Sequence, residues 1–475
     1  MKIKLVLVIL IILIVAFTLF AQEEGLSQEE QKEEMQIEKT EESAEKFEVQ
    51  ESEEPAQEER RIEKSERSQE DEFAEQVEER IIGRHYPVNF SFYYPISLNR
   101  SKHDSTNFNL SLLYGHVGSV TGIDISGLAA VAEYEVTGIQ TAGLGAVAGE
   151  RFTGIQTAGL LCVCGNDFKG IQTSGLFNVA GDSMRGVQTT GFFNVAGSTL
   201  LGLQISGLFN VAGENGKGGQ VGGLFNVTGE SLNGFQIVGL MNVVGEDCTG
   251  LQVSGGLNIT GNNFSGLQVA GLMNIAGDHL LGLQVGTANV ADTMNGVQIG
   301  VANKTTELNG LQIGVYNNVE RCHGVPFGLV NISKRDGWIR WANWVGNMAR
   351  VNSGVKFNVN NWYSIVYAGW SNAFEGISEA LAYGAFYGYS HSLGSFSVNI
   401  DAGYMWLDNE ELFRFNRNRG ENDQHVISLR GYLSIPVADV VSLIAGAGVS
   451  RIVDSGMSIK DGENKFTYMV GVELF

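Results

Sequence analysis

The sequence predicts an all-β chain with two architectures in series: a repeat β-solenoid of 16- then 14-residue coils, followed by a small antiparallel β-barrel of the outer-membrane type. Three observations predict it. The pattern G-x-Q-x-x-G-L-x-N-V-x-G recurs from Gly122 to about Asn331. Gln140, Gln156, Gln172 and their successors through Gln284 are 16 residues apart, and Gln298 and Gln312 follow at 14. A period this strict means one small unit stacked many times. After Gly337 the period gives way to runs of two-residue alternation, the spacing of strands with unlike faces. Finally, 62 glycines accompany only 5 prolines, which suits tight turns and closely stacked backbones more than a proline-rich linker.

In chain order, residues 1–21 read as a signal peptide. Lys2 and Lys4 precede an unbroken apolar run from Leu5 to Phe20, and Ala21 stands at the expected cut. An uncleaved anchor is the alternative, although a run of about 16 apolar residues is short for a bilayer span. No cysteine follows the run, so a lipoprotein lacks its acceptor. Residues 22–82 follow as an acidic segment. Between Gln22 and Arg80 stand 24 acidic and 8 basic residues, a net of −16 out of −22 for the whole chain. Sparse apolar residues leave this segment too little surface to bury, so it is expected to be disordered or marginally helical. No basic stripe suggests nucleic acid.

Residues 83–121 are expected to form an N-terminal β cap. Val88 to Leu98 and Phe108 to Tyr114 alternate and are rich in aromatics, and they stand where a stack needs its open end covered. Residues 122–335 are the coils. In Gly186 to Leu201, Val187 and Thr189 flank Gln188 in a short strand, Gly191 makes a corner, Phe192 to Val195 is a second strand, and Gly197 and Ser198 turn again. A third apolar slot recurs at Phe168, Met184, Leu200, Leu232, Phe264 and Leu280. Apolar positions are expected to point inward from both strands and the turn. Coils would stack about 4.8 Å apart, and recurring Gln and Asn would form amide ladders. The exposed columns would be Gln, Thr, Ser and Asn. A rival geometry makes each repeat one long strand of an antiparallel meander closing a large barrel.

Residues 336–475 are expected to be a barrel of about eight strands. Phe396, Val398, Ile400, Ala402 and Tyr404 alternate with Ser397, Asn399, Asp401 and Gly403, and the runs near Ile427, Val441 and Phe466 behave alike. One apolar, aromatic face and one small, polar face is the dyad pattern of a transmembrane barrel. The charged segment from Leu407 to Gln424 is expected to be a long exposed loop. Phe475 is a terminal aromatic, but Leu474 shares the apolar face and Glu473 does not. A soluble barrel with its apolar face inward is the alternative.

The repeat G-L-F-N-V-A-G with G-x-Q, the lead-in YYPISL and LLYG, and the exit GVPFGLVNISKRDGW resemble a bacterial surface-repeat family of spirochaete-type envelope proteins. The resemblance covers about residues 86–475. It implies a secreted or outer-membrane location and carries over no reaction, ligand or functional residue.

The sequence holds no G-x-S-x-G elbow, P-loop, H-E-x-x-H or C-x-x-C. No catalytic residue and no cofactor is therefore expected, and the chain reads as a non-enzyme. Cys162, Cys164, Cys248 and Cys322 read as small residues filling repeat slots. Asp124 replaces the usual Gln in isolation. One acidic column follows a turn glycine: Glu150, Asp182, Glu214, Glu230, Glu246 and Asp278. Stacked carboxylates repel unless screened or bridged, so a calcium column is the one metal hypothesis. Ordinary exposed turn residues are the plainer reading.

These features point to an envelope protein anchored in outer-membrane lipid, with a structural or adhesive role toward an extracellular or periplasmic protein or glycan. The alternatives are an outer-membrane channel, which needs the large-barrel geometry, and an autotransporter-like export barrel with the repeats as passenger. An even strand count would start the barrel on the periplasmic side and hold the repeats there.

Overall fold

A computed structural model describes residues 83–371, 380–408, 424–454 and 462–474, all within one compact unit from Ile82 to Phe475. The signal peptide, the acidic segment, most of the loop between Leu407 and Gln424, and Phe475 lie outside the described residues. Every described element is a strand.

The repeats are parallel coils. In one coil, strand Arg151–Ala158 leads to strand Leu161–Cys164, and each pairs in register with its equivalent one coil on, as in Gln156 with Gln172 and Val163 with Val179. Parallel pairing of identical residues overturns the antiparallel meander, and with it the channel reading that required a large barrel. Gly154, at φ +133°, bends the first strand, so each coil has three sides. In this coil they are 151–153, 155–158 and 161–164. Where the period shortens, one residue drops out at each of two corners. Val269–Asn274 becomes Val285–Asn289, and Ala276–Leu280 becomes Ala291–Met294. Sides keep their register because the loss falls on corners.

The facing of the strands corrects the sequence reading. Gln172 is wholly buried, whereas its neighbour Ile171 is 47% exposed; Asn178 is buried, whereas Phe177 is 40% exposed. The apolar side chains of both strands therefore point outward, and the expected exposed Gln and Asn columns are inside. The third slot does point inward as expected: Phe168, Met184, Leu200, Leu232, Phe264 and Leu280 are all buried. It lies in a strand and not in the turn, opening the strand in five of these coils and falling within Met273–Val285 at Leu280. Small Ala180, Ala196 and Ala212 complete the core beside the amides.

The cap is the same stack continued. Strand His85–Tyr93 pairs in parallel with Ser105–Val117, which pairs in parallel with both strands of the first coil. Ile96–Ser97 folds back antiparallel on the first strand and covers part of its open edge.

Eight antiparallel strands close the barrel: Gly337–Gly346, Val351–Val359, Trp362–Ser371, Ala380–Leu393, Phe396–Asp408, Gln424–Ala438, Val441–Asp454 and Glu463–Leu474. Two-residue links join Val359 to Trp362, Leu393 to Phe396 and Ala438 to Val441. All three lie on the rim where the first strand begins and the last ends. The apolar parity faces out: Leu429 is 56% exposed and Phe466 67%. The alternative with the apolar face inward is thereby excluded.

The barrel wall closes the solenoid's last coil. Val359 joins the coil core beside Leu308 and Cys322. Asn331 Nδ2 donates to Ser364 Oγ at 3.2 Å, and Ser364 Oγ donates to the Leu329 carbonyl at 2.8 Å. Tyr387 OH donates to the Pro326 carbonyl at 3.1 Å, and its ring meets Phe327 edge-on at 4.5 Å.

Candidate functional site

Two opposed amide ladders run through the solenoid core. From Gln312 down to Gln140, each Gln Nε2 donates to the Oε1 of the Gln one coil nearer the N-terminus, as in Gln204 to Gln188 at 2.9 Å. From Asn178 up to Asn331, each Asn Nδ2 donates toward the C-terminus, as in Asn194 to Asn210 at 2.9 Å. The ladders end where the sequence breaks the slot. Pro326 stands above Gln312 and Cys162 below Asn178. Gln312 Oε1 and Asn178 Oδ1, the first acceptor of each ladder, have no hydrogen-bond partner among the described residues.

Asp124 stands where the direction of donation reverses. Gln140 Nε2 reaches Asp124 Oδ2 at 3.0 Å from one side, and Asn109 Nδ2 reaches Oδ1 at 2.7 Å from the other. Asn89 in turn donates to Asn109 at 2.8 Å. Two donors converging on one side chain need an acceptor at both oxygens, which a carboxylate supplies and an amide does not. Burial outweighs these two hydrogen bonds and pushes the Asp124 carboxyl up to about 6 from 3.8. A raised carboxyl pKa makes the folded state bind the extra proton, so stability falls as pH rises from about 4 to about 6. Asp124→Asn removes that titration. We expect the variant to gain roughly 3 kcal/mol on the wild type between pH 4 and pH 8, at 1.36 kcal/mol per unit. Urea melts followed by circular dichroism check this; a difference that is the same at both pH values would sink it.

All four cysteines are free and buried. Cys162 Sγ donates to the Thr173 carbonyl at 3.3 Å, the contact that Asn178 makes with Thr189 one coil on. Cys248 and Cys322 fill the inward third slot. Burial pushes the Cys248 thiol up to about 12, far from the thiolate a metal or redox centre needs.

The acidic column Glu150, Asp182, Glu214, Glu230, Glu246 and Asp278 lies along the corner that precedes the first side. Asn166, Ser198 and Asn262 occupy the same corner in other coils and interrupt it. Neighbours engage single oxygens: Ser198 Oγ donates to Glu214 at 3.2 Å, and Asn215 Nδ2 to Glu230 at 2.8 Å. Among the described residues no three His, Cys, Asp or Glu side chains converge on a metal position. Chelating divalent ions is expected to leave the thermal midpoint of the solenoid unchanged, and a fall of several degrees in differential scanning calorimetry would restore the calcium column.

The barrel lumen holds a cluster of buried charge. Lys356 Nζ meets Glu473 Oε1 at 2.8 Å and Tyr432 OH at 3.0 Å, while Arg340 Nη1 meets Glu473 Oε2 at 3.3 Å. Arg430 grips Asp401 with both arms at 2.9 Å, and Tyr363 OH donates to the same carboxylate at 3.1 Å. The Arg430 guanidinium lies 3.3 Å over the Phe386 ring. Trp344, Tyr367, Phe386 and Met405 fill the rest, around a cavity of about 40 Å³. That is room for a water or two. Glu473 is held by Lys356 and Arg340 and Asp401 by Arg430, so the arrangement ties the strands that carry them together. Alternation placed Asp401, Arg430 and Glu473 on the polar parity. The pairing of Asp401 with Arg430 depends on the register of two neighbouring strands, and that of Glu473 with Lys356 and Arg340 on closure of the barrel.

No protein-family model matches the sequence, and neither a curated protein nor a solved structure matches it.

Proposed function

We propose that this chain is a non-enzymatic cell-envelope scaffold whose barrel sits in an outer membrane and holds the solenoid on the periplasmic side. The observation that carries the reading is the barrel's inside-out chemistry. Ile339, Trp341, Ile400, Leu429, Val449 and Phe466 face outward and exposed, whereas Lys356, Arg430, Asp401 and Glu473 are sealed inside. Such a wall is costly in water and suited to hydrocarbon, and a closed barrel leaves no unpaired strand edge. The rims support the orientation. Short turns mark the periplasmic rim of such barrels, and here they share a rim with the start of the first strand, where the solenoid is attached. The resemblance of the repeats to spirochaete-type envelope proteins points to the same compartment. A filled lumen argues against conduction or export through these eight strands.

Protease treatment of intact cells, followed by immunodetection of repeats and barrel in fractionated membranes, tests the reading. The repeats are expected to survive until the outer membrane is opened, with the barrel in the outer-membrane fraction throughout. Repeats lost from intact cells would overturn the orientation and favour a displayed adhesin. A barrel recovered in the soluble fraction would overturn the anchor.

A further inference from the structure

We propose that two of the three sides of the solenoid coil are a lipid-contacting surface, which lays the coil stack along the membrane leaflet beside the barrel. The inference rests on the barrel being membrane-embedded.

The outward residues of these sides form columns that run the length of the stack. One column begins Ile123, Ile139, Ile155, Ile171; the corner between the sides carries Leu144, Leu160 and Leu240; Phe177, Phe193 and Phe209 stack at 4.9 to 5.3 Å on the last side. Leu272 at that corner is 60% exposed. Between Ile123 and Val290 no charged residue falls on the outward columns of either side. Apart from buried Asp124, the charges of that span stand on the first side and the corner before it, for example Glu150, Lys169, Arg185, Lys217 and Asp247. Two sides of about four residues each, along a stack of some 60 Å, expose on the order of 1,500 Å². The largest apolar patch of a water-soluble monomer is typically about 300–600 Å².

Most polar groups of these sides are satisfied internally; the exceptions are the ladder-end oxygens of Asn178 and Gln312 and the inward hydroxyls of Ser126, Ser206 and Ser254. The Gln and Asn amides bond along their ladders, and backbone groups bond from coil to coil. Internal satisfaction with apolar groups outward is what a hydrocarbon environment demands. In water the opposite facing of the same strands would be favoured.

Lipid is the occupant favoured by continuity. Phe327, on one of these sides in the last coil, packs against Tyr387 of the barrel's outer wall. On the side that carries Phe327 the surface reaches this wall through Ile299 and Ile313, whereas on the last side Lys304 and Asn318 interrupt it over the final coils. The wall closes the stack end-on, through Val359 and Ser364. End-on closure directs the stack's axis away from the wall, along the membrane plane and not along the barrel axis. At the far end the same faces widen into an apolar cleft of about 740 Å³ lined by Phe90, Phe92, Ile96, Leu98, Leu110 and Leu112.

The test uses the full chain reconstituted in phosphatidylethanolamine–phosphatidylglycerol vesicles, with an environment-sensitive fluorophore on single added cysteines. The sites are Ile237→Cys on an apolar side, Asn233→Cys on the polar side and Leu443→Cys on the barrel wall. The native thiols are buried and are checked for labelling in the unsubstituted chain. Doxyl-labelled lipid is expected to quench the 237 label several-fold more than the 233 label, and aqueous iodide to do the reverse. Equal iodide quenching at 237 and 233 would overturn the proposal. So would a 237 label shielded from both quenchers, the mark of a second copy or another protein covering the face. The 443 label separates the two readings. Lipid quenching at 443 without quenching at 237 removes only the present inference, whereas none at 443 removes the embedded barrel.

Discussion

Lys356→Met is expected to destabilise the barrel by about 3 kcal/mol or more, the low end of the range for breaking a buried ion pair. Lys356 and Glu473 are 2% and 1% exposed, and removing the ammonium leaves the carboxylate without its 2.8 Å partner. Arg340 still reaches Glu473 at 3.3 Å, which is why the low end applies. Tyr432 also loses the donor at its hydroxyl. The loss is asymmetric: removing both charges removes the uncompensated group as well, and pairs replaced by apolar side chains of similar volume are often neutral or better. The double variant Lys356→Met with Glu473→Leu should therefore recover most of the stability. The readout is the temperature at which the folded barrel loses its compact electrophoretic mobility in detergent. A Lys356→Met barrel as heat-resistant as the wild type would show that the ion pair does not hold the strands.

The barrel was legible in the sequence because alternation over nine or more residues has one periodicity and eight chances to repeat it. The runs near Phe396, Ile427, Val441 and Phe466 are strands of the eight-stranded barrel, and the parity of Leu474 against Glu473 came out as read, with Glu473 inside. The lumen network was not legible as a unit. Lys356 and Glu473 are 117 residues apart, and Asp401 and Arg430 29 apart. Asp401 and Arg430 meet once their neighbouring strands pair in register, whereas Lys356 and Glu473 meet only when the last strand closes on the first. The solenoid failed differently. Its coils, corners and ladders follow from residues repeating in register. Alternation alone, however, reads the same whichever face is buried. The usual assumption that apolar groups point inward assigned Ile171 to the core and Gln172 to solvent. What decides against it is the ladder. A column of amides can bond to itself over the whole stack, and small Ala180-type neighbours leave room for it. The expected cap is a continuation of the coil stack and not a separate cover. Its strands lack the G-x-Q and N-V-x-G signature of the coils, so their pairing in parallel with the coils was hidden.

Gly202→Ala is expected to cost more than about 3 kcal/mol and to divide the solenoid's unfolding into two steps. Gly202 sits at φ +146°, and an added Cβ would stand 2.0 Å from the Gly186 carbonyl oxygen. The backbone conformation alone costs a residue with a side chain about 1–3 kcal/mol. The contact cannot be relieved by a rotamer, because the atom it strikes is backbone in the adjacent coil. Coils must separate there, and the parallel bonds that pair Gly186 with Gly202 and Gln188 with Gln204 lengthen. The Gln ladder crosses the same gap, so the 2.9 Å bond from Gln204 to Gln188 opens with both amides still buried. An unpaired buried amide adds about 1–3 kcal/mol. In a one-dimensional stack, stability is a sum of coil and interface terms, so one weakened interface uncouples the coils before it from those after it. Urea titration should show a second transition absent from the wild type. Arg185→Ala, at an exposed position on the polar side one coil earlier, should shift stability by no more than about 0.5 kcal/mol. A Gly202→Ala chain that unfolds in one step at the wild-type midpoint would mean the coils do not approach as closely as this column requires.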